Sequence, residues 1–566
     1  MTSEQKDNKK EENKMIVTPW DTSGKIDYNK LVIQFGTTLI DDALLEKFKK
    51  VTGKDLHPWM KRGIFFTHRS FDVFLDAYAN GEPVFLYTGR GPSTDAMHIG
   101  HLIPFLFTKW LQDVFDCPLV IQISDEEKAA FKQLDFNVLH EMGIKNAKEI
   151  ISCGFNPKKT FIFSNRDYRL RCPQYENFTS DMKNNTSMKL IQSIFGLQGT
   201  GNIAMYDWPV YQSAAAFYQA YPHIFGNRPA YCLVPHAIDQ DPYFRLARDA
   251  ASKMNLIKPC NIECTFIPPL TGQDGKMSSS KADATLFLDD TEEILRKKIM
   301  TLCLSGADPD PEVHKKKGGN VDMDIAYQYL KYFEYDDKRL EEIKEGFTKG
   351  TISAVEIKEI LVQSLYKIMK QIQDYRKTID DKLIEDFYAQ KPMDLPKPKM
   401  KEPTKEESKL YEYLVQLKIQ HTTKYHVAII TKDQAEDLAR MLEGTICKGI
   451  LLKSKEGYIY YIINEQTTVN PKTLSKKIGA KNLKFAESDT YKELLEVNSK
   501  TCPTPFALMN TKGKKGITKV LIDENIANDQ SVNFLAMRED GTCTISYKDM
   551  ITFVESLQYK ITYVKE

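Results

Sequence analysis

Several features that would assign a class at once are missing from this sequence of 566 residues. No uninterrupted apolar run reaches the ~18 residues that cross a membrane, so no membrane partner is expected. The first residues, MTSEQKDNKKEENK, are charged and carry no apolar signal-peptide core, so residues 1–14 are expected to form a disordered charged tail. Together these absences favour a cytoplasmic protein.

Cysteine pairs and an excess of charge of one sign are missing too. The ten cysteines include no CxxC pair, and the nearest approach to a metal-ligand spacing, Cys260 and Cys264, has no second pair nearby. We therefore expect no structural metal, and free thiols in a reducing compartment. Because the formal net charge is +1, DNA is not expected as a partner, and any RNA must bind through local basic faces.

The sequence does contain a strand–helix–strand pattern. PVFLYTG is an apolar run bounded by Pro and Gly, HIGHLIPFLFTKWLQDVFD is amphipathic, and CPLVIQISD is a second apolar run. This succession begins a doubly wound α/β fold with a parallel sheet. TFIFSN, AYCLVPHAID and IECTFIPPL predict further buried strands. Pro104 is expected to be tolerated because it lies near the first turn of its helix.

The region before this pattern has a mixed composition. Residues 15–83 are interpreted as an N-terminal extension of the core, which itself spans 84–290 and includes an insertion. Within the extension, KLVIQFG (30–36) predicts a hairpin or short strand, and DDALLEKFKKVTG (41–53) predicts a helix.

The region after the core divides by composition. Residues 291–390 are charged and helical in pattern. Prolines and lysines between 391 and 407 predict a solvated linker. Residues 408–566 are expected to form a separate α+β domain, with strands at GILLKS, YIYYIINE and TKVLID.

The junction between the first predicted core strand and its helix is suited to binding phosphate. A helix N-terminus presents free backbone N–H groups and a partial positive charge. Gly89 and Gly91 allow a tight turn and close approach of a ligand to the backbone, and Arg90 offers a fork of donors.

The start of that helix carries His98, Gly100 and His101. Gly100 would let a flat adenine ring pass the backbone, and the two imidazoles would stabilise charge that builds on a phosphate chain under attack. A histidine pair near a helix start is more often structural, so the pair alone does not decide the function.

A second polar segment, TGQDGKMSSSKAD, is rich in glycine and serine around Lys276. Such a loop can close over a nucleotide and bring the lysine onto a leaving pyrophosphate, with hydroxyl and amide donors from Ser278 to Ser280. In isolation, an exposed linker loop with a solvated lysine is the more common interpretation.

Taken together, these two segments resemble a known family. HIGH and KMSSS are similar, in order and spacing, to the two ATP-site motifs of the class I aminoacyl-tRNA synthetases. FLYTGRGPSTDAMHIGHLIPFLFTKWLQDVF, VIQISDEEK and AIDQDPYFRLARD resemble the cytosolic tryptophanyl branch in particular, over roughly residues 15–390. Many members carry a second lysine where this chain has Ser279, but the tryptophanyl branch commonly lacks it as well.

The resemblance implies a Rossmann-type parallel-sheet core, an all-helical anticodon-binding domain over 291–390 and a homodimer. It implies ATP-dependent activation of L-tryptophan, with Mg²⁺, and transfer to the 3′ end of tRNA(Trp). Catalysis is assigned by similarity to His98, His101 and Lys276. ATP binding is assigned to residues of the two motif segments, namely Gly89, Arg90, Gly91, Gly100, Met277, Ser278, Ser279 and Ser280.

Tryptophan binding is assigned by similarity to Tyr87, Gln122, Glu127, Gln212 and Gln240. Selecting tryptophan requires an apolar slot with an acceptor for one indole N–H. A site built to bond such a group rejects analogues without it by ~10⁴-fold or more. We expect Tyr87 and Gln240 near the indole nitrogen and the other three toward the α-amino group. Simple core packing is the alternative for Tyr87 and Gln212.

Two alternatives stay open for the core. The tyrosyl-tRNA synthetases share the fold and both motifs, although they have a different stretch in place of AIDQDPYFRLARD. A non-catalytic relic that binds RNA or signals is the alternative from another class. The intact His98, Gly100, His101 and Lys276 argue against it.

The C-terminal sequence resembles a second family. GTICKGILLKSKEGYIYYIINE and CPTPFALMNTKGKKGITKVLID are similar to the trans-editing deacylases related to the editing insertion of bacterial prolyl-tRNA synthetase. The lysine of that family near its first strand corresponds to Lys448. Gly449 stands where the family usually has Asn, and Leu535 and Glu539 replace its His and Asn. A degenerate module that holds tRNA or a protein partner is the favoured hypothesis, and an active deacylase of altered specificity is the alternative.

Overall fold

The computed structural model describes residues 15–20, 22–24, 26–197, 199–272, 275–277, 282–395, 402–426, 432–497, 504–511, 516–527 and 529–565. The chain forms two compact units, residues 1–397 and 398–566. Their boundary falls inside the predicted linker, and the finer division into domains stays a prediction. The predicted tail, residues 1–14, lies outside the described residues.

The strands of the first unit include the predicted core strands. They are β1 (Ile16–Val17), β2 (Thr22–Ser23), β3 (Thr38–Leu39), β4 (Phe65–Arg69), β5 (Val84–Arg90), β6 (Leu119–Ile123), β7 (Thr160–Ser164), β8 (Tyr231–Ala237) and β9 (Cys260–Cys264). The main sheet has the order β3-β4-β9-β8-β5-β6-β7. Its strands from β9 to β7 run parallel, whereas β3 and β4 join antiparallel at one edge.

The parallel strands lie in the middle of the first unit. Every residue of β6, β7 and β9 is buried, which is typical of a parallel sheet covered on both faces. The doubly wound α/β core predicted from the apolar runs is therefore confirmed.

Helices connect these strands and then follow them. In the first part of the unit they are α1 (Tyr28–Phe35), α2 (Asp42–Thr52), α3 (Pro58–Lys61), α4 (Phe71–Ala79), α5 (Ile99–Phe115), α6 (Asp125–Lys132), α7 (Phe136–Ile151), α8 (Asn165–Arg171), α9 (Pro173–Asn184), α10 (Met188–Phe195), α11 (Ile203–Ala214), α12 (Pro222–Phe225) and α13 (Asp241–Met254). The predicted helical region contains α14 (Glu292–Leu302), α15 (Pro311–Lys317), α16 (Ile325–Phe333), α17 (Asp337–Thr348), α18 (Ala354–Arg376) and α19 (Asp381–Tyr388).

The hairpin or short strand predicted at residues 30–36 is wrong, because these residues lie in α1. Asp27 caps this helix by accepting a hydrogen bond from the backbone N–H of Lys30 at 3.1 Å. Gly36 ends it with a φ of 68°. Leu31 and Phe35, four residues apart, are its buried side chains. A short apolar run does not distinguish this helical spacing from a strand.

The place of Pro104 also differs from expectation. It is the sixth residue of α5 and therefore lies in the second turn. There it removes the backbone bond to the carbonyl of Gly100. Both residues line the cavity described below, so the helix loses this bond beside the cavity and not within the packed core.

The second unit has its own mixed sheet. Its strands are β10 (Thr422–Tyr425), β11 (Thr445–Ser454), β12 (Gly457–Asn464), β13 (Lys484–Phe485), β14 (Ile517–Asp523), β15 (Ser531–Leu535), β16 (Gly541–Ser546) and β17 (Ile561–Val564). They run in the order β10-β16-β15-β11-β12-β14-β17, with β13 beside β11. The helices are α20 (Lys405–Gln416), α21 (Lys432–Met441), α22 (Pro471–Ile478), α23 (Ser488–Leu495) and α24 (Tyr547–Ser556).

The strands predicted at GILLKS, YIYYIINE and TKVLID are confirmed in β11, β12 and β14. Across all the ranges that the structure describes, no helix combines the length and apolar character that crossing a membrane requires.

Candidate active site

A cavity of about 290 Å³ opens at the carboxyl ends of β5, β6 and β8. This edge is where ligands bind in open α/β sheets. All thirteen predicted site residues of the first unit that the structure describes line the cavity. The remaining three, Ser278, Ser279 and Ser280, lie outside the described residues.

The two histidines stack at the start of α5, with ring centroids 3.5 Å apart. His98 is the N-cap residue, and its Nδ1 accepts a hydrogen bond from the backbone N–H of Gly100 at 3.1 Å. A β-carbon at Gly100 would lie 3.0 Å from the His98 ring, so any side chain there would crowd the ring that caps the helix. Burial, with help from Arg90 and Lys276, lowers the pKa of His98 to about 3. The ring is therefore neutral at pH 7 and carries its proton on Nε2, which is a donor.

The guanidinium of Arg90 lies beside the His101 ring, and most of its nitrogens already contact protein side chains. Its Nε donates to Asn146 Oδ1 at 3.1 Å, and a terminal nitrogen lies 3.3 Å from Nε2 of His101. Because arginine only donates, that histidine nitrogen must accept. The other terminal nitrogen, which is buried, has no hydrogen-bond partner among the described residues. The free fork expected from the sequence is thus reduced to one terminal nitrogen, and Arg90 mainly orients His101.

Lys276 forms an ion pair with Asp239, and its Nζ lies 5.5 Å from the centroid of the Phe266 ring. Asp239 is 4% exposed and lies in the 3₁₀ turn Ile238–Gln240, directly after β8. The sequence interpretation missed this partner. An acidic residue at the carboxyl end of a predicted parallel strand was the available signal.

Four of the residues that are expected to bind tryptophan form two hydrogen-bonded pairs. The Tyr87 hydroxyl donates to Gln122 Oε1 at 2.7 Å, and Gln212 Nε2 donates to Gln240 Oε1 at 3.1 Å. Gln122 is held in turn by donating to Asn165 Oδ1 at 2.7 Å. This differs from the expected grouping, in which Gln122 lay toward the α-amino group, away from Tyr87. The two side chains meet because β5 and β6 are neighbouring strands.

Glu127 provides a carboxylate on the cavity wall. Its Oε2 accepts from the Ser124 hydroxyl at 3.0 Å, and its Oε1 pairs with Lys128 Nζ at 2.8 Å. A β-carbon at Gly91 would lie 2.3 Å from Lys128 Cε and 2.9 Å from Glu127 Oε2. Gly91 therefore leaves room for this pair, whose partners Ser124 and Lys128 were not identified from the sequence.

In the described ranges, no three His, Cys, Asp or Glu side chains come together in a way that could hold a metal ion.

Lys448 of the second unit lies on β11 and is held by one neighbour. Its Nζ donates to the backbone carbonyl of Glu465 at 2.6 Å and lies 4.0 Å from that residue's Oε1. A β-carbon at Gly449 would lie 1.8 Å from the Tyr460 hydroxyl. Tyr460 is fully buried. The space that a larger side chain would need beside Lys448 is therefore filled by this ring.

Comparisons with known proteins agree with this geometry. Residues 79–370 match the model of the "tRNA synthetases class I (W and Y)", and residues 428–553 match that of the "Aminoacyl-tRNA editing domain". The cytoplasmic tryptophan–tRNA ligase of Oryctolagus cuniculus is 41% identical over 377 residues, which cover 66% of this chain and 79% of the relative. That of Schizosaccharomyces pombe is 42% identical over 382 residues, which cover 66% and 96%.

Solved structures give the same result. The Plasmodium falciparum tryptophanyl-tRNA synthetase matches with a TM-score of 0.60 and 39% identity, over 64% of this chain and 95% of that one. The Encephalitozoon cuniculi enzyme bound to tryptophan matches with a TM-score of 0.60 and 37% identity, over 64% and 98%.

Proposed function

The chain belongs to the class I tRNA synthetases of the tryptophan and tyrosine family, and we propose that its first unit uses the cavity to activate tryptophan with ATP and to charge tRNA(Trp). The relatives named above are tryptophan ligases, which disfavours the tyrosyl alternative. The retained motif residues disfavour the non-catalytic one.

The first reaction needs no general base. A carboxylate oxygen of tryptophan attacks the α-phosphorus of ATP, the bond to the β-phosphate oxygen breaks, and pyrophosphate leaves with the electron pair. The 3′-terminal ribose hydroxyl of tRNA then attacks the activated carbonyl and displaces AMP. Positioning and stabilisation of phosphate charge can therefore supply most of the catalysis.

Each of the two motifs provides a different group that would stabilise the phosphate charge. His98 would donate from Nε2, and the partial positive charge at the N-terminus of α5 would add to the stabilisation. Lys276 would leave Asp239 to reach the departing pyrophosphate. Mg²⁺ would enter on the ATP phosphates, because the described residues offer no cluster that could hold it, and we assign no step to it.

The hydrogen bond from Tyr87 to Gln122 carries the assignment to tryptophan. Because the Tyr87 hydroxyl donates its hydrogen to Gln122, the lone pairs of its oxygen can accept the indole N–H. Burial raises the pKa of Tyr87, so the hydroxyl stays neutral. Glu127 would hold the α-ammonium group. The test is ATP–pyrophosphate exchange with tryptophan and with tyrosine: exchange with tyrosine alone would overturn the assignment.

The larger assembly follows from the family resemblance. We propose that residues 291–390 bind the single-stranded anticodon, whose bases can stack on aromatic and guanidinium surfaces. A homodimer in the cytoplasm is proposed on the same ground. Sedimentation of the full chain and anticodon substitutions in tRNA(Trp) test these two points.

For the second unit, a tRNA-binding role is supported by a group of exposed lysines on and beside β11 and β13. Lys453 lies directly opposite Lys484 across β11 and β13, and the backbone N–H of Lys455 donates to the carbonyl of Lys481. Lys453, Lys455, Lys481 and Lys484 are all exposed, and α22 adds the exposed Lys472, Lys476 and Lys477 nearby in sequence. Residues 451–486 contain only two acidic residues, in a chain whose net charge is +1.

This concentration of positive charge favours the binding of a polyanion such as tRNA. Lys453, Lys455, Lys481 and Lys484 form no ion pair within the part of the chain that the structure describes. Like charges opposite each other destabilise a strand pair, and a phosphate backbone would relieve that repulsion. The ring of Tyr460 beside Gly449, in turn, favours binding over the deacylase alternative.

Matched lysine variants test this role in the full chain. Replacing Lys453, Lys455, Lys481 and Lys484 by Ala should raise the KM for tRNA. It should also flatten the slope of log affinity against log salt concentration, by about one for each phosphate that is no longer bound. Alanine at the exposed Lys405, Lys409, Lys548 and Lys560 is the control. Equal effects of the two sets would contradict the proposal, as would alanyl-tRNA hydrolysis that Lys448→Ala abolishes.

A further inference from the structure

The last turns of α18 contact both segments that frame the ATP end of the cavity. Arg376 and Gln373 lie on this helix, and neither is among the residues that line the cavity. We propose that they are positioning residues for adenylate formation, which hold the backbone of His98 and the segment that follows the Lys276 loop. This inference rests on the function proposed above.

One route from α18 to the catalytic helix runs through Glu149 on α7. Arg376 donates to Glu149 Oε1 at 3.0 Å, and Glu149 Oε2 accepts the backbone N–H of Met97 at 2.8 Å. Met97 directly precedes His98. Glu149 is 1% exposed, so its carboxyl relies on these protein donors in place of water.

The carboxyl of Glu149 is buried, and several neighbouring groups act on it. Burial raises the pKa of Glu149 to about 8, whereas the Met97 N–H and the guanidinium groups of Arg376 and Arg90 favour the ionised form. Loss of Arg376 would leave Glu149 Oε1 without the donor that helps to hold the carboxyl in line with the Met97 N–H.

A second route runs through the segment 286–290. Gln373 Nε2 donates to the carbonyls of Leu288 at 2.7 Å and Asp290 at 3.1 Å, and Arg376 also pairs with Asp289. This segment runs antiparallel to residues 97–99, with His98 opposite Phe287. Its backbone N–H at position 288 donates to the Met97 carbonyl at 2.9 Å, and its carbonyl at 286 accepts from Ile99 at 3.0 Å.

Both routes therefore end on the residues that flank His98. The direction of its Nε2 donor depends on this backbone, because Nδ1 is already used in capping α5. The same segment follows the loop that carries Lys276. A small displacement of α18 would thus shift both motif segments, and a misplacement of ~1 Å can lower a rate by ~100-fold.

The test compares variants of the full chain in ATP–pyrophosphate exchange. Arg376→Ala should lower kcat by about 10- to 100-fold, with the KM for tryptophan nearly unchanged. Arg376→Lys should recover part of the loss. The lysine ammonium can pair with either Glu149 or Asp289, whereas the planar guanidinium of arginine pairs with both at once. Gln373→Ala should lower kcat to a smaller extent. Lys377→Ala is the control, since this exposed neighbour pairs only with the exposed Asp374 among the described residues.

Thermal unfolding of each variant separates positioning from loss of fold. If Arg376→Ala is poorly folded, the Gln373→Ala and Arg376→Lys variants decide. Folded variants whose kcat equals that of Lys377→Ala would overturn this inference alone. Absence of any tryptophan-dependent exchange in the unaltered chain would instead overturn the proposed function.

Discussion

Removing one oxygen from Tyr87 tests the tryptophan slot most sharply. Tyr87→Phe keeps the ring in place but leaves Gln122 Oε1 without its donor at 2.7 Å, and it leaves the indole N–H without its proposed acceptor. A buried polar group left unpaired costs about 1–3 kcal/mol. The expected result is a fall of kcat/KM for tryptophan by about 10- to 100-fold. The KM for ATP should stay unchanged.

The assay is ATP–pyrophosphate exchange at varied tryptophan and ATP concentrations. Tyr221→Phe is the matched control, because Tyr221 is also fully buried but donates to the Ala215 carbonyl away from the cavity. A tryptophan analogue with sulfur in place of the indole N–H should be discriminated strongly by the unaltered chain and weakly by Tyr87→Phe. Equal discrimination by both would refute the reasoning.

Two further predictions follow from the charges of the site and the buried histidines. Lys276→Ala should lower the kcat of exchange by about 100-fold, a typical effect of losing one preorganised group, with a much smaller change in the KM for ATP. Steady-state kinetics measures both, and a raised KM with an intact kcat would speak against a transition-state role. Burial, aided by Arg62, lowers the pKa of His57 to about 3, so the unfolded chain takes up a proton near pH 6.5, before the folded chain does. The free energy of unfolding should therefore fall as the pH drops from 6.5 toward 3, and His57→Asn should reduce this slope by about 1.4 kcal/mol per pH unit. Urea titrations at several pH values measure it, and identical slopes would contradict the stated pKa.

The sequence predicted those parts of the fold that local patterns determine. The apolar runs of β5 and β6 and the amphipathic α5 between them are unambiguous, since length and periodicity agree. The same local pattern placed His98 and Gly100 at the start of this helix, but the cap that they form was not predicted. The prediction of a strand at residues 30–36 was wrong for the opposite reason. Over so few residues, helical and extended spacing of apolar side chains cannot be distinguished.

Long-range pairs account for most of what was not predicted. Whether Tyr87 meets Gln122 or Gln240 depends on the order of the strands, with β6 on one side of β5 and β8 on the other. The pairing of Lys276 with Asp239 likewise joins residues that only the folded sheet brings together. Arg90 was expected to face a ligand, but the burial of its neighbours turned most of its donors inward.

A structure of the full chain with bound tryptophanyl-adenylate would test the central claim most directly. The account predicts the indole nitrogen at about 2.7–3.2 Å from the Tyr87 hydroxyl oxygen, the adenylate phosphate within reach of His98 Nε2, and Lys276 released from Asp239. An indole ring bound elsewhere, with Tyr87 still closed on Gln122 and no ligand beside it, would contradict it.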